Sequence, residues 1–105
     1  MLERRFSYVY LRFRGRTAIR KRPVGDIWAG LFEPLVLDQL PKDAVLLKSG
    51  VKHQLTHRTL IVDFFLWEPT EEPALPEGYF WIEEAELDRY AKPRLFERLL
   101  ETLPK

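Results

Sequence analysis

No cysteine occurs anywhere in the chain. That absence excludes, within these 105 residues, a disulfide framework, a thiolate zinc site, a cysteine-ligated iron–sulfur cluster and a cysteine nucleophile. Long apolar runs are missing as well. Nothing approaches the roughly 18 apolar residues that a membrane-spanning helix needs, and the opening MLERRFSYVYLRFRGR sets charges inside any would-be signal core. Neither a secretory nor a transmembrane reading survives, so a cytoplasmic protein without a membrane partner is expected. There is no phosphate-cradling glycine loop and no serine in a nucleophile-elbow context. The two histidines, His53 and His57, lie four apart without a third ligand nearby, so no metal site is expected.

What is present is apolar and aromatic: 46% hydrophobic residues and 13% aromatic ones, enough for one packed core. A single domain over residues 1–105 is therefore expected. The net charge of +1 hides a division along the chain. Residues 1–22 carry eight Lys/Arg against Glu3, whereas residues 68–90 carry eight acids against Arg89. A solvated strand face at one end and acid-rich loops at the other would account for this. The sharper reading is a positive face that tracks phosphates, with the acidic surface turned away from nucleic acid.

Patterning predicts a mixed β-sheet flanked by helices. From Tyr8 to Arg14 the chain alternates, with Val9, Leu11 and Phe13 on one face and Tyr8, Tyr10, Arg12 and Arg14 on the other, the mark of a half-buried strand. Gly15 turns it back into a partner strand over Thr17 to Arg22, a hairpin expected to show its arginines in rows on the outer face. DIWAGLFEPL reads as a compact loop anchored by Ile27, Trp28 and Phe32. VLDQLPKDA predicts a short helix stopped at Pro41, and AVLLKSG a short strand ending at Gly50. Lys52 to His57 and Arg58 to Trp67 give further strand, the latter too densely apolar for simple alternation and so interior. EPTEEPALPEG reads as a mobile connector. After it come a last strand, Tyr79 to Ile82, an acid-led helical turn at EEAELDRY, and an amphipathic helix at KPRLFERLLETL with Leu95, Phe96, Leu99, Leu100 and Leu103 at helical spacing.

Catalytic carboxylates are not signalled. A Nudix-type pyrophosphohydrolase needs an Arg-Glu-x-x-Glu-Glu core on one helical face to hold the magnesium that activates water. No such run exists, and Glu83, Glu84 and Glu86 in EEAE are too compact, reading instead as acids at a helix start. No catalytic residue is therefore assigned. What stands out is KHQLTHRTLIVDFFLW, where His53, Thr56 and His57 form a polar knot at the mouth of an apolar strand. Such groups either satisfy one another in a turn or face a ligand.

Three segments, in order, carry a resemblance. AIRKRPVGDIWAGLFEPL is similar to the Arg-Pro, Gly-Leu-Trp-x-Gly-Leu-Trp/Tyr-Glu-Phe-Pro segment of the C-terminal domain of the MutY family, the A/G-specific adenine DNA glycosylases. HQLTH resembles that family's His-x-Phe-Ser/Thr-His loop, and GYFWIEEAELDRYAKPRLFERLL resembles its closing strand and helix. The family's domain resembles a Nudix fold that has lost its catalytic box. The resemblance thus implies an α+β fold of the Nudix-like α/β/α kind, and a fragment whose parent excises adenine opposite 8-oxoguanine through a separate helical domain. That domain is expected to hold an iron–sulfur cluster, with no cofactor in the present chain.

By the same resemblance the expected partners are duplex DNA containing 8-oxoguanine:adenine and the catalytic domain. Thr56 would accept the hydrogen bond from the N7 proton that 8-oxoguanine has and guanine lacks. Leu55 would stand where the family has Phe and press against neighbouring bases, while His53 and His57 would brace the loop or reach phosphate. Arg20 and Arg22, in the first basic row, are expected to meet phosphates. Two alternatives remain open: a divergent Nudix hydrolase of oxidised nucleotides, and a protein-interaction module docking through WEPTEEPALPEGYFW.

Overall fold

The computed structural model describes residues 2–25 and 27–104. Asp26, which opens the stretch read as an anchored loop, lies outside the described residues. In chain order the elements are β1 (Leu2–Leu11), β2 (Arg16–Lys21), β3 (Phe32–Glu33), β4 (Leu35–Val36), β5 (Val45–Gln54), β6 (Arg58–Trp67), β7 (Phe80–Glu83), a 3-10 helix (Glu84–Arg89) and α1 (Arg94–Thr102). They form a four-stranded sheet in the order β4-β1-β6-β5 and a three-stranded sheet in the order β3-β2-β7. The pair β1–β6 is parallel and every other pair antiparallel, which gives the mixed α+β architecture expected. No helix among the described residues is long and apolar enough to cross a membrane.

The parallel pair explains a departure from the sequence pattern. Tyr8, Val9, Tyr10 and Leu11 are all fully buried, so the inner half of β1 is covered on both faces rather than one. Tyr8 and Tyr10 face a core completed by Leu60, Val62, Phe64 and Leu66 of β6 and by Leu95, Phe96 and Leu99 of α1. Val9 and Leu11 face a second core with Ala18, Leu35, Phe65 and Trp81. A strand beside a parallel partner and roofed on both sides reads as a continuous apolar run. β1 also begins at Leu2, six residues before the alternation, because its first half runs past the core alongside the start of β6.

Three other expectations are corrected. The β1–β2 turn is tight, with Phe13 and Arg16 exchanging backbone hydrogen bonds of 2.9 and 3.0 Å around Arg14 (φ 51°) and Gly15 (φ 74°). Beyond that one bridge β2 leaves β1 and pairs with β3 and β7, so no two-stranded arginine face is built. VLDQLPKDA forms no helix; it gives β4 and then turns, since Pro34 and Pro41 bracket a stretch too short to propagate one. The Tyr79 hydroxyl holds the segment, accepting from Val36 N–H at 3.1 Å and donating to Pro34 C=O at 3.3 Å. The connector read as mobile is tied at two points: Glu72 accepts from Arg16 at 2.8 Å, and Leu75 packs on the second core.

Candidate nucleic-acid interface

AVLLKSG and KHQLTH join into one strand, β5, bent by register shifts between Leu46 and Val51. Asp63 on β6 fixes the bend, accepting from Gly50 N–H at 2.8 Å, Ser49 Oγ at 3.0 Å and Arg5 at 3.1 Å. These donors hold the Asp63 carboxyl below the ordinary carboxylate range. Past the bend β5 and β6 run as a hairpin whose tip is Leu55–Thr56–His57. The motif singled out in the sequence is therefore a projecting turn at one end of the larger sheet.

Its geometry decides between the two readings of the polar knot. The turn is closed by Leu55 N–H on Arg58 C=O at 2.8 Å. It is braced by Thr59 Oγ1 donating to Gln54 Oε1 at 2.9 Å and by Gln54 Nε2 donating to Leu55 C=O at 3.2 Å. The bracing thus comes from Gln54 and Thr59. Thr56 and His57 are exposed and make no hydrogen bond among the described residues. The knot's polar groups do not satisfy one another, so the tip offers a hydroxyl and an imidazole to solvent. Leu55 is half-buried and packs against the first core, a less projecting position than a base-pressing residue was expected to take.

His53 sits one step inside the tip, half-buried, its ring edge-on to Trp28 at 5.7 Å between centroids and 68° between planes. Burial, and then the charge of Arg98, depress its pKa below the ordinary 6.5, so it is held neutral near pH 7. Arg98 of α1 donates to Lys52 C=O at 3.0 Å and so fastens the helix to β5 beside this histidine. The parallel register brings Leu2 level with Arg58 and Arg4 level with Leu60. Arg58 therefore stands at the tip itself, whereas Arg4, Lys52 and Arg98 lie further along the strands and on the helix. A cleft of about 30 Å³ between Arg4, Phe6, Arg22, Trp28 and Leu60 lies further in along the strands. That is room for a water or two and not for a base, so contact with a base has to happen on the outside of the turn.

Arg20 and Arg22 are both occupied by one carboxylate, and Arg22 also lines that cleft beside Trp28. Arg20 is level with Glu33 across the β2–β3 pair, and both guanidiniums close on the fully buried Glu33 carboxylate, Arg20 Nε at 3.1 Å with a second bond from its Nη2, and Arg22 through Nη1. Arg22 Nε also donates to Ile27 C=O at 2.9 Å. Two of the hairpin's arginines are thus held on one buried carboxylate, while Arg12 and Arg16 pair with Glu84 and Glu72. Sequence reasoning missed Glu33 and Arg98, and read Trp28 as a loop anchor without its contact to His53. The signal for Glu33 was available, a lone acid inside the apolar run LFEPL, within reach of a basic strand.

At the far end of the strands a broad depression of about 550 Å³ opens between Tyr10, Arg12, Glu84, Leu87 and Leu103. Its carboxylate Glu84 accepts from Tyr10 Oη at 2.7 Å and Arg12 Nε at 3.1 Å, and Glu86 pairs with Arg89 at 2.7 Å. No three His, Asp or Glu converge on a common point among the described residues. Glu84 and Glu86 are thus held by neighbouring arginines and, for Glu84, by the Tyr10 phenol.

A two-sheet α+β body, one amphipathic helix and a basic hairpin tip define the class. The chain belongs to the NUDIX domain family, whose model matches residues 7–102. Its fold is that of the C-terminal domain of mouse MUTYH, solved in complex with human PCNA, to which it is similar with a TM-score of 0.65 at 14% identity over 93% of this chain and 85% of that one. No curated protein matches in sequence.

Proposed function

We propose that this domain is the lesion-reading part of an adenine DNA glycosylase, and that the β5–β6 tip meets the 8-oxoguanine opposite the adenine that a separate helical domain removes. The observation that carries the reading is the Thr56 hydroxyl, exposed and without a partner among the described residues, on a projecting turn that Arg58 closes, with Arg4, Lys52 and Arg98 further along the same strands and helix. Likeness in fold to a MUTYH C-terminal domain supports it. A hydroxyl oxygen accepts from the N7–H of the oxidised base, where ordinary guanine has an acceptor instead. The cations hold phosphates and fix the register without reading sequence. His57 beside Thr56 reaches phosphate or a base edge, and Leu55 supports the turn from the core side. Duplex DNA and the catalytic domain of the same protein are the partners this role requires.

The test is single-turnover adenine excision by the glycosylase carrying this domain, on duplexes differing only in the opposing base. Thr56→Val keeps shape and β-branching and removes one neutral hydrogen bond of roughly 0.5–1.5 kcal/mol, so preference for 8-oxoguanine over guanine should fall about two- to tenfold. Unchanged discrimination by a folded Thr56→Val, Leu55→Ala double variant would show that the tip is not the reader. Magnesium-dependent hydrolysis of a nucleoside triphosphate that disappears on mutating Glu83 or Glu84 would favour the hydrolase reading instead.

A further inference from the structure

Trp28 has a backbone φ of 58°, the left-handed region that a bulky side chain rarely adopts. Such a conformation is strained for a bulky side chain and persists only where surrounding structure over-determines it. Here the determinants are visible. Leu31 N–H bonds to Trp28 C=O at 3.0 Å, Arg22 N–H to Leu31 C=O at 2.8 Å, Gly30 N–H to Arg22 C=O at 3.2 Å, and Arg22 Nε to Ile27 C=O at 2.9 Å. Arg22 is itself fixed by the buried Glu33. What this loop delivers is an indole edge against the His53 ring, just inside the tip.

We propose that Trp28 is a positioning residue for the lesion-reading turn: the Glu33–Arg22 pair clamps its strained loop so that the indole backs His53 and holds the β5–β6 tip in one orientation. The inference rests on the assignment of the tip as the DNA-facing element, but the contact it describes exists in the free chain and is testable there. A strained residue at this place is costly if its only task is packing, since a glycine would close the same loop without the strain. The ring contact gives the strain an outcome, because the loop and the hairpin come from segments 25 residues apart (Trp28 to His53) that share no strand pairing. Arg98 on α1 is the charge that bears on the same imidazole from the helix side, and it is left in place in every variant.

The experiment is an NMR titration of the two histidines in this chain, with Trp28→Gly and Trp28→Phe compared with the parent and thermal melting run on each. Glycine accepts φ 58°, so Trp28→Gly should remain folded while His53 loses its cover and its midpoint climbs toward 6.5. The amide signals of Leu55 and Thr56 should shift as well. Trp28→Phe, which restores an aromatic edge, should return His53 toward the parent value. A folded Trp28→Gly with an unmoved His53 and unshifted tip amides overturns the proposal. Binding of a duplex carrying one 8-oxoguanine, measured on the same three proteins, separates it from the assignment beneath it. Loss of lesion preference in Trp28→Gly and its recovery in Trp28→Phe support both, whereas a tip that moves in the titration while no protein binds the duplex sinks the DNA reading and leaves the positioning role standing.

Discussion

Glu33 shows how much one residue can redirect. It is fully buried between β2 and the first core, and a carboxylate taken out of water is tolerable only when charged donors surround it. Arg20 and Arg22 supply them, and in doing so they leave the surface role that their place in a basic run suggested. Arg22 is the more enclosed of the two, 13% exposed against 36% for Arg20, and it alone reaches the Trp28 loop. Glu33→Gln keeps the volume and deletes the charge, leaving two guanidiniums aimed at an amide. Breaking a buried pair from one side costs about 3–5 kcal/mol, so urea unfolding should show a loss of that order. A loss below about 1 kcal/mol would mean that the arginines find water or other partners as readily. Arg20→Ala should cost less than Arg22→Ala, since the more exposed side chain is the better screened.

At the scale of elements, the bend in β5 is the device that aims the hairpin, and Asp63 is what fixes it. Gly50 N–H is the leading cause of its lowered pKa, with Ser49 and Arg5 adding to it. A carboxyl whose folded pKa lies below the ordinary 3.8 binds its proton more readily in the unfolded chain. Its contribution to stability is therefore complete above that value and is lost as pH falls through the folded one. Asp63→Asn should melt below the parent near neutral pH, and the gap should close as both are taken below pH 3.8; a gap that persists in acid would mean the side chain's shape, not its charge, fixes the bend. The elements themselves were legible where one pattern ruled: β6 lies where its apolar density put it, though its burial alternates, α1 lies where helical spacing put it, and the closing strand runs one residue later than read. VLDQLPKDA was not legible, because its apolar spacing suits a helix while Pro41 within it, Pro34 just before it and its pairing with β1 decide otherwise. The double burial of Tyr8 to Leu11 was hidden for a related reason, since alternation reports side-chain polarity and a tyrosine is polar only at its tip. The projecting turn and its Arg58 were legible as a motif, but the approach of Arg4 and Arg98 to the same hairpin was not, because it depends on the parallel register and the docking of α1.

Across the whole molecule the basic and acidic segments end up apart, though not as rows on two faces. β1 carries the chain from the tip to Arg12 and Glu84, and its ten residues at about 3.3 Å each put roughly 30 Å between the two ends. The screening length at physiological salt is about 8 Å, so the acids of the 3-10 helix exert almost no field at the tip. Their role in orienting DNA, if the charge division alone governed it, would be confined to low salt. Affinity for duplex DNA should instead follow the local cations, with log affinity falling linearly in log salt by about 0.9 for each phosphate bound. Arg4→Ala with Arg58→Ala should weaken binding equally for damaged and undamaged duplexes and flatten the slope by about one unit for each phosphate no longer neutralised. Neutralising Asp88 and Glu83 should leave the slope where it was. Arg20→Ala with Arg22→Ala supplies the contrast: its expected signature is a lowered melting temperature, with the salt slope of whatever remains folded unchanged, because both guanidiniums are already paired with the buried Glu33. Should the Arg20 and Arg22 pair flatten the slope while the Arg4 and Arg58 pair does not, the phosphate track runs over β2, and the hairpin tip is not the end of the molecule that DNA meets.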